Sequence, residues 1–100
     1  MTLRHVVTWK MAATDPIERA EHAAGIAARL KGLVGVVPSI RALSTGVNSL
    51  PIDGNWDVTL IADFDDAAGL DAYQVHPAHQ EVVGYVRSVT GGRSAVDFEL

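Results

Sequence analysis

Strict alternation of apolar side chains constrains the fold of this chain more than any other feature. Successive side chains of a strand point to opposite faces, so apolar residues at every second position predict a strand with one buried face. The first such run places Leu3, His5, Val7, Trp9 and Met11 on one face. The second and clearest run does the same for Trp56, Val58, Leu60, Ala62 and Phe64. These two runs predict the first and third strands.

A helix is predicted directly after the first strand. Asp15 is the expected N-cap, Pro16 takes the first helical position, and Glu18 is placed to complete a capping box. Gly32 offers a left-handed end. The predicted buried stripe is narrow and rich in alanine, and it consists of Ile17, Ala20, Ala24, Ala27 and Leu30.

The remaining elements are two strands and an interrupted helix. Residues 40–47 and 93–100 alternate as strands, and the turn signal Asp53-Gly54 lies in the loop after the first of them. Asp65-Asp66 caps a helix that His76-Pro77 breaks or kinks. Pro77 then opens a second helical stretch, which the pair Gly91-Gly92 is predicted to end.

This β-α-β-β-α-β order predicts an α+β, ferredoxin-like domain over residues 1–100, with a four-stranded antiparallel sheet and both helices on one face. The other sheet face includes Val6, Thr8, Thr59 and Ile61, which makes it too apolar to be wholly solvated. A second copy is the simplest cover, so we expect a homodimer that forms a dimeric α+β barrel. A monomer with a wet sheet face is the alternative.

Composition excludes several classes of partner. The formal net charge of −4 lacks the basic footprint of nucleic-acid binders, so no nucleic-acid partner is expected. No apolar run approaches the ~20 residues that cross a bilayer, so no membrane partner is expected. The chain has no cysteine, and residues 1–11 lack the apolar run of a signal peptide. We therefore expect a cytoplasmic location.

One candidate pocket emerges around His5. This histidine shares its strand face with Val7 and Trp9, which should meet the helices, and a buried imidazole needs partners for both nitrogens. Tyr73, His76 and His79 are the polar groups available there. Val7, Trp9 and His76 are accordingly predicted to contact a ligand.

Structural alternatives stay open at this site. His76 can simply cap the helix at Pro77, and Tyr73 can be a core aromatic residue. The trio His5, His76 and His79 also permits a zinc site, although the i, i+3 spacing of His76 and His79 is not the usual i, i+4 pair. No metal is therefore assigned.

The chain resembles the stress-responsive A/B barrel (Dabb) domain family over essentially its whole length. The motifs that carry the resemblance are Leu3-Arg4-His5-Val6-Val7, Trp56-Asp57-Val58, Phe64-Asp65-Asp66, Tyr73-Gln74-Val75-His76-Pro77-Ala78-His79 and Val96-Asp97-Phe98. The resemblance implies a dimeric α+β barrel. It implies little about chemistry, because most members have no established activity.

Single positions are also similar to a plant polyketide cyclase of this family, the enzyme that forms olivetolic acid. The similarity implies a catalytic site with His79 as general base, Tyr73 as the group that orients the substrate, and His5 as a further pocket residue. Ala27 stands where the cyclase has another pocket tyrosine, so the similarity places Ala27 at the ligand and implies a different substrate shape.

Two functions follow from the sequence. The first is a stress-responsive homodimer of unestablished activity that binds a small apolar ligand. The alternative is a cofactor-independent cyclase or lyase acting on a polyketide-like ligand. Neither needs a cofactor, and haem-using or quinol-oxidising barrels remain a third alternative on fold analogy alone. An open cavity with His79 and Tyr73 on its wall favours the enzyme, whereas a closed core excludes it.

Overall fold

The computed structural model describes residues 1–100 and has the predicted element order, with the second helix divided in two. The elements are β1 (Leu3–Met11), α1 (Pro16–Lys31), β2 (Ala42–Val47), β3 (Val58–Phe64), α2 (Ala67–Val75), α3 (Pro77–Val89) and β4 (Thr90–Glu99). All neighbouring strands are antiparallel, in the order β2-β3-β1-β4. The predicted ferredoxin-like α+β fold is confirmed.

The central strand β1 has the alternation that the sequence predicts. His5, Val7, Trp9 and Met11 are buried beneath the helices. In the register of the sheet, His5 lies beside Ala62 of β3 on one side and Asp97 of β4 on the other. The predicted helix-facing side of β1 is therefore confirmed, and it carries His5 into the core.

Three strands begin at residues other than the predicted ones. β2 begins at Ala42 rather than residue 40, because the N–H of Ile40 donates to the carbonyl of Val37 instead of to the sheet. β3 begins at Val58, which leaves Trp56 outside the strand. β4 begins at Thr90, so the pair Gly91-Gly92 lies within a strand rather than ending α3.

The glycine at residue 92 has a packing role in that strand. A Cβ atom there would lie 3.2 Å from the Cη2 atom of Trp56. Glycine therefore leaves space for the indole ring to lie against β4.

Helix α1 begins as predicted and differs in its end and its buried face. The Asp15 carboxylate accepts a hydrogen bond from the N–H of Glu18 at 2.9 Å, and Pro16 follows the cap. Gly32 ends the helix in a right-handed conformation (φ −65°), so the predicted left-handed end is wrong.

The buried stripe of α1 is rotated from the predicted one. Its buried residues are Ala23, Ile26, Ala27 and Leu30, whereas the predicted positions Ile17, Ala20 and Ala24 are exposed. Ile26 is fully buried. The rotation buries the largest apolar side chain in the middle of the helix, which gains more free energy than burying another alanine.

The break between α2 and α3 falls at His76, as the sequence predicts. Asp66 caps α2 by accepting from the N–H of Gly69 at 2.9 Å. His76 adopts an extended conformation (φ −63°, ψ 133°), and Pro77 takes the first position of α3. The chain therefore changes direction between Tyr73 and His79, which are contributed by different helices.

The helices cover one face of the sheet and leave the other bare. On the bare face, Ile61 of β3 is 37% exposed, and Val96 and Phe98 of β4 are 61% and 41% exposed. Arg4 and Asp63 pair there through two hydrogen bonds of 2.8 and 3.0 Å. This face is apolar with a charged border.

None of the three helices has the length and apolar character that a bilayer crossing requires.

Candidate functional site

A cavity of about 330 Å³ opens between the helix-facing side of the sheet and the helices α2 and α3. Its apolar wall consists of Val7, Trp9, Leu30, Leu60, Val82, Val83 and Val86. Its polar wall consists of His5, Tyr73, Gln74, His79, Gln80, Arg87, Thr90 and Arg93. The core is thus open on the side where β1 and β4 meet α3, next to the predicted histidine and tyrosine residues.

His5 reaches this cavity from the middle of β1. It is 4% exposed, and its Nδ1 atom is hydrogen-bonded to the carboxylate of Asp97, the residue beside it on β4. A carboxylate only accepts, so the proton of this bond lies on Nδ1. The pairing fixes the orientation of the imidazole ring, because the strand register places the carboxylate next to it.

Tyr73 lies at the centre of an aromatic group on the same wall. Its ring centroid is 5.1 Å from that of Phe64, 4.2 Å from that of His79 and 6.4 Å from that of His5. The side chain is 1% exposed, and its hydroxyl has no hydrogen-bond partner within the chain. Burial raises the pKa of Tyr73 to about 12. The phenol is therefore neutral near pH 7 and has a proton to donate.

His79 is held by a main-chain oxygen of the preceding helix, α2. Its Nδ1 atom lies 3.1 Å from the main-chain oxygen of Gln74. A carbonyl only accepts, so Nδ1 carries the proton, and in the neutral ring Nε2 has the free lone pair. Burial lowers the pKa of His79, the hydrogen bond to Gln74 partly opposes this shift, and the positive charge of Arg93 lowers the pKa further. The ring is thus neutral near pH 7, with a basic nitrogen.

Five residues that the sequence places at the site do line the cavity, namely His5, Val7, Trp9, Tyr73 and His79. Two others do not. The Nδ1 atom of His76 accepts a hydrogen bond from the N–H of Ala78 at 3.1 Å, so this side chain caps α3 instead of facing the cavity. Ala27 is buried in the core where α1 covers the sheet.

Sequence reasoning missed the polar residues at the outer part of the wall. Gln74, Gln80, Arg87, Thr90 and Arg93 line the cavity, and none of them was predicted to lie at the site. No local signal was available for Arg93. It lies on the same face of β4 as Asp97, and the antiparallel register places it beside Trp9.

The alternative of a histidine zinc site finds no support in the geometry. No group of three or more histidine, aspartate or glutamate side chains lies close enough together to hold a metal ion. His76, the third histidine of the suggested trio, is occupied in capping α3.

Comparison with known proteins places the chain in a defined structural group. The family model described as Stress responsive A/B Barrel Domain matches residues 3–100. No curated protein matches the sequence significantly.

Three solved structures illustrate the structural likeness. A dimeric ferredoxin-like protein of unknown function from Thermobifida fusca is 27% identical, with a TM-score of 0.84 over 100% of this chain and 92% of that one. A dimeric protein of unknown function from Bacteroides fragilis is 23% identical, with a TM-score of 0.89 over 99% and 96%. The hydroxynitrile lyase of Passiflora edulis is 13% identical, with a TM-score of 0.79 over 97% and 91%. The last two show the fold alone.

Proposed function

The chain belongs to the stress-responsive A/B barrel domain family, and we propose that it is a homodimer whose internal cavity binds a small, largely apolar ligand. The observation that carries this proposal is the cavity itself. Its volume of about 330 Å³ falls at the small end of the roughly 300–1,000 Å³ that ligand pockets occupy. Apolar walls with a few converging polar groups are the usual composition of such pockets.

The hydroxyl of Tyr73 supports the proposal. It is buried and has no partner within the chain. Leaving a buried polar group unpaired costs about 1–3 kcal/mol. A ligand group, or a water that the ligand displaces, supplies the missing partner, and the neighbouring Nε2 atom of His79 offers a second hydrogen bond.

The bare sheet face supports the dimer. Ile61, Val96 and Phe98 leave a partly exposed apolar surface on the side away from the helices. The similar protein from Thermobifida fusca is described as dimeric. Packing the bare faces of two copies together buries this surface and gives the barrel that is expected of the family.

Tryptophan fluorescence tests ligand binding, because Trp9 lines the cavity and Trp56 does not. In a Trp56→Phe background, titration with the neutral probe hexanamide should change the Trp9 emission and reach saturation. In the same background, Val86→Phe fills part of the cavity without adding a second tryptophan. This substitution should abolish the change in emission. Val47→Phe, at an exposed position outside this cavity, should leave it intact. A signal that is the same in all three backgrounds contradicts binding in the cavity.

A second function, a cofactor-independent cyclase or lyase, is favoured by the pairing of His79 with Tyr73. The Nε2 lone pair of His79 takes a proton from a carbon next to a carbonyl group, and the electron pair moves to the carbonyl oxygen. The neutral hydroxyl of Tyr73 donates a hydrogen bond to that developing enolate oxygen. The enolate carbon then attacks a second carbonyl group of the same substrate molecule, and a ring closes. The oxygen of that carbonyl group takes the proton back from His79.

Proton exchange into a simple ketone tests this second function without knowledge of the substrate. Wild-type protein in D₂O should accelerate deuterium incorporation next to the carbonyl of 2-hexanone, followed by NMR. His79→Gln should lower the acceleration by ~100-fold or more, the usual contribution of a general base. His22→Gln, a histidine outside the cavity, is the matched control and should retain it. Equal rates with wild type and His79→Gln exclude the cyclase while leaving ligand binding intact.

A further inference from the structure

The cavity carries an unbalanced positive charge. Two arginines, Arg87 and Arg93, line it, and no aspartate or glutamate does. The formal net charge of the whole chain is −4. The charge at the cavity wall therefore has the opposite sign to the net charge of the protein. The charge of this wall is therefore a local property of the site.

Neither of these arginines has an anionic partner within the chain. Arg4 pairs with Asp63, Arg19 with Asp57 and Arg41 with Asp65. Arg87 and Arg93 make no such pair, although both are exposed. A guanidinium group offers its donors in a fixed planar fork that matches a carboxylate. The N–H donors of Arg87 and Arg93 are therefore free to bind a carboxylate of a ligand.

The two arginines reach the cavity from different elements. Arg87 lies in α3, two turns after His79, and Arg93 lies on β4 beside Trp9. Arg93 is close enough to His79 for its charge to act on the imidazole. Two acidic residues share this side of β4: Asp97 is already hydrogen-bonded to His5, and Glu99 lies farther along the strand, beside Leu3 and away from Arg93. The cationic wall therefore lies next to the Tyr73 and His79 pair while the apolar wall lies deeper.

We propose that the cavity selects small organic carboxylates, with the apolar body against Val7 and Val86 and the carboxylate held at the mouth by Arg87 and Arg93. This inference rests on the ligand-binding function proposed above and names its substrate class. The carboxylate replaces the missing anionic partner of both arginines. The same cations also favour negative charge that develops on a bound substrate next to His79.

A matched pair of probes tests the charge preference. Hexanoate and hexanamide have nearly the same shape and differ in charge near neutral pH. Hexanoate should bind the wild-type protein about tenfold or more tightly than hexanamide, because charge-assisted hydrogen bonds exceed neutral ones. The preference should shrink when salt is raised from ~0.05 M to ~0.5 M, because the arginines are exposed to solvent.

Substitutions then assign the preference to the two arginines. Arg87→Gln and Arg93→Gln should each reduce the preference for hexanoate while hexanamide binds as before, which also shows that the cavity is intact. Arg41→Gln is the control. It removes the same charge at the start of β2, which is the sheet edge opposite β4.

The outcomes separate the two proposals. Equal binding of hexanoate and hexanamide overturns the carboxylate preference and leaves the ligand-binding function standing. A preference that persists in both cavity variants, or that Arg41→Gln removes equally, overturns the assignment to Arg87 and Arg93. Failure of both probes to bind the wild-type protein overturns the ligand-binding function together with the inference.

Discussion

The phenol ring of Tyr73 lies against the imidazole of His79, with the ring centroids 4.2 Å apart and the ring planes at 49°. The two residues come from consecutive helices that His76 separates, so the break in the chain creates the contact. One ring presents a hydroxyl proton without a partner, and the other presents a basic nitrogen. A donor and an acceptor thus meet at one wall of the cavity.

Removing the hydroxyl of Tyr73 should change the free energy of unfolding little. Tyr73→Phe keeps the ring against Phe64 and deletes a buried group that has no partner. We expect the free energy of unfolding to stay within ~1 kcal/mol of wild type or to rise, because the penalty for the unpaired group disappears. Urea denaturation at fixed protein concentration measures it. Tyr73→Ala, which leaves a cavity, should instead lose ~3–5 kcal/mol. A loss from Tyr73→Phe of more than ~1 kcal/mol would mean that the hydroxyl is bonded.

His79 should titrate below its usual pKa of about 6.5. Burial is the main cause, the charge of Arg93 adds to it, and the hydrogen bond to Gln74 partly opposes it. NMR of the ring nitrogens against pH measures the pKa, and near neutral pH it should report a proton on Nδ1. A pKa at or above the usual value, or a proton on Nε2, contradicts the environment described for this ring.

The same shift has a consequence for stability. Because the pKa of His79 is lower in the folded than in the unfolded chain, protonation favours unfolding. The contribution of His79 is therefore fully present above the unfolded pKa of about 6.5 and is lost as the pH falls towards the folded pKa. His79→Gln should flatten the fall in the free energy of unfolding across this acidic range. An unchanged pH profile would contradict the prediction.

A charge on the bare sheet face should dissociate the proposed dimer. Val96→Glu places a carboxylate on that face, whereas Val75→Glu places the same group at the exposed end of α2. By sedimentation, wild type and Val75→Glu should have about twice the 10.6 kDa mass of one chain, and Val96→Glu should have the mass of one chain. A monomeric wild type, or a dimer that survives Val96→Glu, would contradict packing through this face.

The carboxylate of Asp57 should matter for stability rather than for the cavity. It accepts hydrogen bonds of 2.7 Å from both the N–H of Met11 and the guanidinium of Arg19, and so ties α1 to the end of β1. Asp57→Ala should lower the free energy of unfolding by about 1–3 kcal/mol, because both donors lose their partner. Asp53→Ala, at an exposed loop position, should change it little. Equal losses in urea denaturation would refute this role of Asp57.

The sequence predicts most of the fold because the strongest signals are local. Alternation places His5 and Trp9 on the buried face, and the cap at Asp15 and the break at His76 follow from single side chains. The rotation of α1 was not predictable in the same way. Ala23, Ala24 and Ala27 are alike in sequence, and only the burial of Ile26 against the sheet selects among them.

The residues of the candidate site also differ in whether local sequence patterns predict them. His5 follows from its strand face, and Tyr73 and His79 follow from their spacing about the break. Arg93 depends on the pairing of β4 with β1, which no local pattern gives. His76 was predicted to contact a ligand and does not. Its Nδ1 atom accepts a hydrogen bond from the N–H of Ala78 at the start of α3, so it is not available to a ligand.

The central claim is that a small ligand occupies the cavity beside Tyr73 and His79, and intermolecular NOEs test it most directly. With methyl-labelled valine and leucine and bound hexanamide, the account predicts NOEs from the alkyl chain of the probe to the methyl groups of Val7, Val82 and Val86. Contacts confined to exposed valines such as Val34 and Val36, or no intermolecular NOE at saturating probe, would contradict it.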